Sequence, residues 1–467
     1  MLRKFINRVF KRDDALTARE PAIIPVSSHG VSRDQISSGS RRVCEALRER
    51  GYKAYVVGGA VRDLLARVTP KDFDVATDAT PDEVRRCLRR SRIVGRRFQI
   101  VHAYMGQEVV EITTFRGALG DDAKTDAHGR VLRDNIFGSQ AEDAARRDFT
   151  VNALYFDPAT EQILDYHHGV ADLRQKTLRV IGDPRTRYRE DPIRMLRAIR
   201  LAAKLGLAID PAARRPIREM AILLENIPAA RLSDEIFKLL SSGHAARCLR
   251  QLHAEGLHQG TLPLLDVLLR TPESEQFIML AMADTDARIQ QGKSSSPCFL
   301  FAALLWRELG IAWQALRETG EHPLPALHRA MNDVLSAQGQ KLAITRRIAG
   351  DIKEIWALQS RFEHRVGRHP YGVLAHPRFR AAYEFLRLRA KAGEIDAALP
   401  AWWLEFQNAD SDARNGMLSA LAPESAKRRG RRRSRRGGKR EKAAANENAA
   451  ADFVALPENN RESDGAA

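Results

Sequence analysis

Up to about residue 180 the apolar positions of this chain alternate with polar ones or fall in short runs. From about Thr186 to about Leu421 they recur every three or four residues. The first pattern predicts strands with short helices between them, the second a succession of helices. A helix is predicted from about Gln35 to Glu49, ending at Gly51. Strands are predicted over Tyr55–Val57 and Asp72–Ala76, separated by a glycine turn and a short helix. Thr80-Pro81-Asp82-Glu83 is a capping box with proline at the first helical position, so another helix starts there. Gln99–Tyr104 and Glu108–Phe115 read as a hairpin around Gly106. Leu154–Phe156 and Gln162–Asp165 read as strands joined by the turn Asp157-Pro158. The polar segment 13–34, with Pro21 and Pro25, and the Gly/Asp/Ala-rich segment 117–130 read as irregular.

Beyond Thr186, turn signals at Gly206, Pro228, Gly243, Pro263, Pro272, Pro323 and Pro325 cut the helical pattern into ten or more helices with no fixed-period repeat. The fold class is therefore α+β: an N-terminal mixed or antiparallel-sheet head, an elongated all-α neck and body, and a disordered basic tail. The expected boundaries are an arm over 1–35, the head over 36–180, the neck over 181–245, the helical body over 246–422 and the tail over 423–467.

Charge sharpens the picture at the two ends. The chain of 467 residues carries a net charge of +17. Residues 427–442, KRRGRRRSRRGGKREK, hold eleven Lys/Arg against one Glu, a net of 11 − 1 = +10. Such a run repels itself and binds polyanions without reading sequence, and its arginines match phosphate geometry, which favours nucleic acid over a merely solubilising tail. At the other end, MLRKFINRVFKR sets Leu2, Phe5, Ile6, Val9 and Phe10 on one helical face with basic residues opposite. Residues 2–12 fit a peripheral membrane contact or a frayed arm equally well. No apolar run approaches the ~18 residues of a membrane span. The four cysteines have no C-x-x-C spacing, so a reducing, cytoplasmic setting is expected, with partial placement at the inner membrane face if the arm inserts.

The chemistry is concentrated in YVVGGAVRDLLARVTPKDFDV, which begins at Tyr55. Gly58 and Gly59 lack a Cβ and let backbone approach a phosphate closely, followed by Arg62 and Asp63. Asp72 and Asp74 are two apart in a β-like run, which puts both carboxylates on one strand face. Hard oxygen ligands so placed suit Mg²⁺, and the pairing suggests metal-assisted phosphoryl transfer from a nucleotide. A turn-capping pair is the bland alternative, but two same-face aspartates on an apolar strand are costly without a cation. Glu111, in the strand VVEITTF, is either solvent-facing or a third metal carboxylate.

Arg147, Asp148 and Asn152 lie in RRDFTVN just before a strand. They suit phosphate holding, ribose orientation or metal support, and sugar contact, or else form a corner of local salt bridges. Asp191 is placed to N-cap a helix with Pro192 at its first position. Arg194 and Arg197 follow at i+3 and i+6. A carboxylate beside a guanidinium accepts from an amino group and donates to a ring nitrogen. That logic rejects guanine and uracil but does not separate ATP from CTP. The chain has no G-x-x-x-x-G-K-[S/T] and no His-Asp dipeptide, so neither a P-loop nor an HD phosphohydrolase domain is expected.

These motifs, in this order, resemble the class II family of polymerase-β-like nucleotidyltransferases, which comprises bacterial CCA-adding enzymes and bacterial poly(A) polymerases. The strong match spans roughly residues 36–215. The resemblance implies catalytic roles for Asp72, Asp74 and Asp148, and two Mg²⁺ ions on Asp72 and Asp74; Glu111, from its strand position, is a candidate further ligand. It implies nucleotide binding by Gly58, Gly59, Arg62, Asp63, Arg147, Asn152, Asp191 and Arg194, to which the i+6 spacing adds Arg197. Gly95-Arg96-Arg97-Phe98 with His102, Ala330–Leu335, His376–Tyr383 and Trp402–Phe406 are similar to the poly(A) polymerase branch, as is the basic tail. The implied activity is template-independent transfer of AMP from ATP to RNA 3′ ends, promoting RNA turnover, with tRNA CCA addition as the alternative enzyme and a non-catalytic RNA-binding protein as the alternative class. The implied partners are RNA 3′ ends and ATP, with RNA-degradation or RNA-chaperone proteins docking on a monomer.

Overall fold

The computed structural model describes residues 20–95, 99–117, 136–257, 272–342 and 344–421. The arm helix over 2–12, Arg96–Phe98, most of the 117–130 segment and the basic tail lie outside the described residues.

The head is built on a mixed sheet. Its strands are β1 (Ala22–Ile24), β2 (Ala54–Val57), β3 (Asp74–Thr77), β4 (Ser91–Val94), β5 (Ile100–Met105), β6 (Glu108–Thr114), β7 (Leu154–Asp157) and β8 (Gln162–Asp165), in the order β1-β8-β7-β2-β3-β6-β5-β4. Every pairing is antiparallel except β3 with β6. Two strands depart from the sequence pattern. β1 falls in the segment whose composition predicts irregular chain and pairs with β8, so the sheet begins before residue 36. β4 has no periodic signal of its own, and it pairs with β5. The D-x-D strand starts at Asp74, with Asp72 exposed in its extended lead-in.

Each sheet face has its own core. On one, Val43 and Leu47 of α1 (Ser38–Arg48) pack with Val56, Val75, Val101, Val110, Ile112 and Phe156. On the other, Val57, Ala76, Phe115 and Tyr155 pack with Ala144 of the helix Gln140–Arg146. That helix covers only part of its face. Toward β4 the same face carries exposed Arg92, Tyr104, Val109 and Glu111. The predicted capping box at Thr80 is complete in both directions and opens the helix Pro81–Cys87. Ser139 and Glu142 form a second one.

The neck follows through the helices Pro184–Glu190, Ile193–Leu205, Pro211–Met220, Ala229–Leu240 and Ala245–Ala254. A two-stranded parallel pair, Thr177–Leu178 with Ala208–Ile209, ties it back to the head. Asp191 does not cap the helix that follows it. It ends the preceding helix with φ −151°, Pro192 takes the N-cap position, and no side chain caps that turn. Proline disfavours the helical region for the residue before it, which breaks the two helices apart at Asp191. The carboxylate turns instead to Arg231, at 2.7 Å.

The chain divides into two compact units between Lys353 and Glu354, a boundary the sequence does not mark. The second unit packs Phe362, Phe379, Tyr383, Leu386, Trp403 and Phe406 together, with the Trp403 indole donating to the Phe362 carbonyl at 2.9 Å. Among the described residues no single helix is long and apolar enough to cross a membrane.

Candidate active site

Strand register assembles the phosphate turn and the carboxylates. β2 runs antiparallel to β3 and pairs Val57 with Asp74, so Gly58 and Gly59 leave β2 beside the D-x-D. Gly58 has φ +69° and ψ −122°, a conformation that L side chains rarely adopt. A Cβ there would also stand 3.2 Å from Arg147 Nη1. The helix Gly59–Leu65 starts without a side-chain cap. On the other side of β3, Val75 pairs with Ile112, so Glu111 lies on the strand next to Asp74 and on the same face.

Burial pushes the Asp74 carboxyl up to about 6; Glu111 and Asp72 push the same way, and only Arg147 opposes them. Like charges gathered on a partly buried face are relieved by a divalent cation. Among the described residues no three His, Cys, Asp or Glu side chains are grouped so as to hold a metal ion. One or two carboxylates are enough for Mg²⁺, which takes most of its remaining ligands from phosphates and water. Asp72, Asp74 and Glu111 are the residues that would hold it.

Arg147 is aimed by groups that carry no motif of their own. Its guanidinium meets Asp143 Oδ2 at 3.0 and 3.1 Å, donates to the Tyr155 hydroxyl at 3.1 Å, and reaches the Asn152 carbonyl at 3.3 Å. Tyr155 in turn donates to Asp143 at 2.6 Å. Burial disfavours the Arg147 charge, but Tyr155 and Asp143 outweigh it and hold the group firmly protonated. Asp143 precedes Arg147 by four residues, a helical ion-pair spacing that is available in the sequence.

Arg62, Asp63, Asn152, Asp148 and Arg197, all expected to meet substrate or reacting groups, are largely engaged with one another. Lys204 Nζ binds Asp63 Oδ2 at 2.7 Å, and Asp63 Oδ1 accepts from Arg62 at 2.6 and 2.8 Å. Arg62 Nη1 donates to Asn152 Oδ1 at 2.6 Å, and Asn152 Nδ2 donates to Asp148 Oδ1 at 2.8 Å. Asp148 Oδ2 closes the chain on Arg197 Nε and Nη2, at 2.8 and 2.6 Å. Burial would raise Asp148, but Arg197, Asn152 and Arg194 outweigh it and hold the carboxyl well below the usual carboxylate range. Arg62, Asp63 and Asn152 are buried. This geometry makes the five a charged joint between the glycine helix, the 150–152 turn and the neck helix. Lys204 carries no sequence signal.

Asp191 and Arg194, the two residues expected to read the base, stand at the head of that neck helix. Arg187 donates to the carbonyls of Arg146 and Arg147 at 2.6 and 2.7 Å. Burial and the neighbouring Arg194 pull its guanidinium down to about 10. Arg194 Nη1 donates to the Arg187 carbonyl at 2.6 Å and to Glu190 at 3.0 Å. Asp191 Oδ2 accepts from Arg231, whereas its Oδ1 is buried without a hydrogen-bond partner. An orphaned carboxylate oxygen beside a guanidinium suits an incoming amino group, since such an acceptor is costly to leave empty.

Comparison with known proteins identifies the family. Family models match the poly A polymerase head domain over residues 54–179, the probable RNA and SrmB-binding site of polymerase A over 206–269, and the polymerase A arginine-rich C-terminus over 319–437. Poly(A) polymerase I of Salmonella typhi is 42% identical over 444 residues, 92% of this chain and 96% of that protein. The Haemophilus influenzae poly(A) polymerase I is 39% identical, over 87% of this chain and 93% of its own. A CCA-adding enzyme of Bacillus subtilis is 36% identical over 217 residues, 46% of this chain and 53% of its own. Among solved structures, a tRNA-processing enzyme in an apo form shares the fold, with a TM-score of 0.55 at 18% identity over 82% of this chain and all of that one. With 42% identity over 92% of its length to such an enzyme and a head-domain match that spans the glycine turn and the D-x-D, the chain belongs to the bacterial poly(A) polymerase I family.

Proposed function

We propose that the protein adds AMP from ATP to RNA 3′ ends without a template, and that the reaction takes place on the sheet face holding Asp74. The observation that carries this is the register itself: the glycine turn, Asp74 and Glu111 lie side by side on adjacent strands. In the reaction the RNA 3′-oxygen forms a bond to the α-phosphorus of ATP. The bond from that phosphorus to the bridging oxygen breaks, and pyrophosphate leaves.

The triphosphate lies against Gly58 and Gly59, where backbone amides and Arg147 oppose its charge. Asp74, with Asp72 and Glu111, would hold Mg²⁺. Bound there, the metal supplies acidification of the 3′-hydroxyl and neutralisation of charge on the leaving group. Asp148 and Asn152 position this floor through Arg197 and Arg62. The carboxylate of Asp191 accepts from the adenine amino group and Arg194 donates to the neighbouring ring nitrogen. Arginines of the neck, the body and the tail hold the RNA through its phosphates. Expected settings beyond the chemistry are the cytoplasm, a monomeric state and RNA-degradation partners.

Primer extension tests the reading. Purified protein with Mg²⁺ and a labelled generic RNA receives ATP, CTP, GTP or UTP singly, beside a tRNA lacking its CCA end. Long ladders with ATP on the generic RNA are expected. Addition that stops after CCA, and only on the tRNA, overturns the assignment.

A further inference from the structure

On the sheet face that carries Asp74, the far side of the carboxylates is left open by the described residues. β5 pairs His102 with Glu111 and, two residues on, Tyr104 with Val109. β4 pairs Arg92 with His102. These side chains alternate with buried Val101, Ala103, Val110 and Ile112, so they share the exposed face. Tyr104 is 44% exposed and Val109 47%, side by side one pair before the hairpin turn at Gly106. His102 Nε2 lies 3.5 Å from Glu111, which joins this surface to the carboxylates without a break. Arg92 is exposed beside it, and Arg90, also exposed, precedes it where the Tyr104 amide donates to the Arg90 carbonyl at 2.9 Å.

We propose that this face, with Tyr104 as a stacking surface and Arg92 as a phosphate contact, seats the 3′-terminal nucleotides of the RNA primer. The inference rests on the reading of Asp74 as the reaction centre. Its occupant follows from position. The glycine turn, Arg147 and the base reader all stand on the β2 and neck side of Asp74, so the triphosphate and its base occupy that side. In-line displacement puts the attacking and leaving oxygens on opposite sides of the phosphorus. The attacking hydroxyl therefore comes from the β6–β5 side, and Tyr104 is two strands, about 10 Å, across from β3. An aromatic ring with an adjacent aliphatic side chain and arginines is the chemistry that holds single-stranded bases without reading them. A polymerase that extends its own product needs that tolerance.

The test uses the full chain and a short RNA ending in 2-aminopurine, whose fluorescence falls when it stacks. In the unaltered protein without ATP, quenching at the 3′ end is expected. Tyr104→Ala should abolish the quenching and raise KM for RNA about tenfold, leaving KM for ATP unchanged, while Tyr104→Phe retains both. Arg92→Ala should weaken RNA binding and lessen its salt dependence. Unaltered quenching and KM for RNA in Tyr104→Ala, with normal AMP transfer by the unaltered protein, sink the platform and leave the reaction assignment standing. A rise in KM for ATP with KM for RNA unchanged gives the face to the nucleotide and overturns the proposal. A parent protein that transfers no AMP removes both.

Discussion

Among the described residues, Asp74 and Asp191 both have surroundings that ask for something the protein does not supply. Asp74 faces two like charges and one arginine, and its carboxyl is pushed up to about 6. Asp74→Asn should lower single-turnover AMP transfer about a thousandfold, the loss expected when several kcal/mol of metal-supported stabilisation disappears. RNA affinity should stay level in a filter-binding measurement, because Asp74 touches no primer phosphate in this arrangement. A variant that transfers at the parent rate removes Asp74 from the site. Asp191 Oδ1 is buried and unpartnered. Asp191→Asn offers an amide of the same shape, which can turn a donor toward the base. We expect kcat/KM for ATP to fall roughly tenfold to a hundredfold, with relatively better use of nucleotides that present an acceptor there. Competition between ATP and GTP measures it, and an unchanged ratio rules out base reading by this carboxylate.

At the scale of elements, the run from Lys204 to Arg197 fastens the glycine helix and the 150–152 turn to the neck helix. Asp148→Asn keeps the shape and removes the charge, leaving Arg197 without its counter-ion. A loss of about 2 kcal/mol in chemical denaturation at pH 7 is expected. Acid should act through the same residue. The folded carboxyl of Asp148 lies below its unfolded value of about 4, so its stabilisation is present above that pH and drains away as pH falls below it. Asp157 is also lowered, despite burial, by its bond to Arg48 and contributes with the same sign. The parent's denaturation midpoint should therefore drop between about pH 5 and pH 3, and Asp148→Asn should show a shallower drop; parallel curves would refute the linkage.

This is also the scale at which the sequence is most and least informative. The Thr80 capping box, the Gly106 hairpin and the strand before Gly58 follow local rules and stand where those rules put them. β1 and β4 are short and owe their strand state to their partners, β8 and β5, which no local pattern reveals. The site shows the same division. Its residue types are legible because phosphate, metal and base each demand a distinctive group. Their partners are not, because Asp148 meets Arg197 across 49 positions and Asp63 meets Lys204 across 141.

For the whole molecule, charge governs the encounter with RNA. The stretch 427–442 contributes +10 of the chain's +17. Removing residues 424–467 should leave single-turnover chemistry on saturating RNA intact. It should weaken RNA binding at physiological salt and flatten the slope of log Kobs against log salt by about 0.7 for each RNA phosphate that the tail neutralises in the full chain. A slope identical in both proteins would place all phosphate neutralisation outside the tail.

Arg187 grips the carbonyls of Arg146 and Arg147, and Arg194 grips the carbonyl of Arg187. In the proposed reading these bonds give the protein the role that a template strand plays elsewhere, with one difference. A template strand advances by a letter after each addition; Asp191, held by Arg231, and Arg194, held by the Arg187 carbonyl, do not advance. A reader that never moves presents the same question at every cycle, and the answer written onto the RNA is a homopolymer.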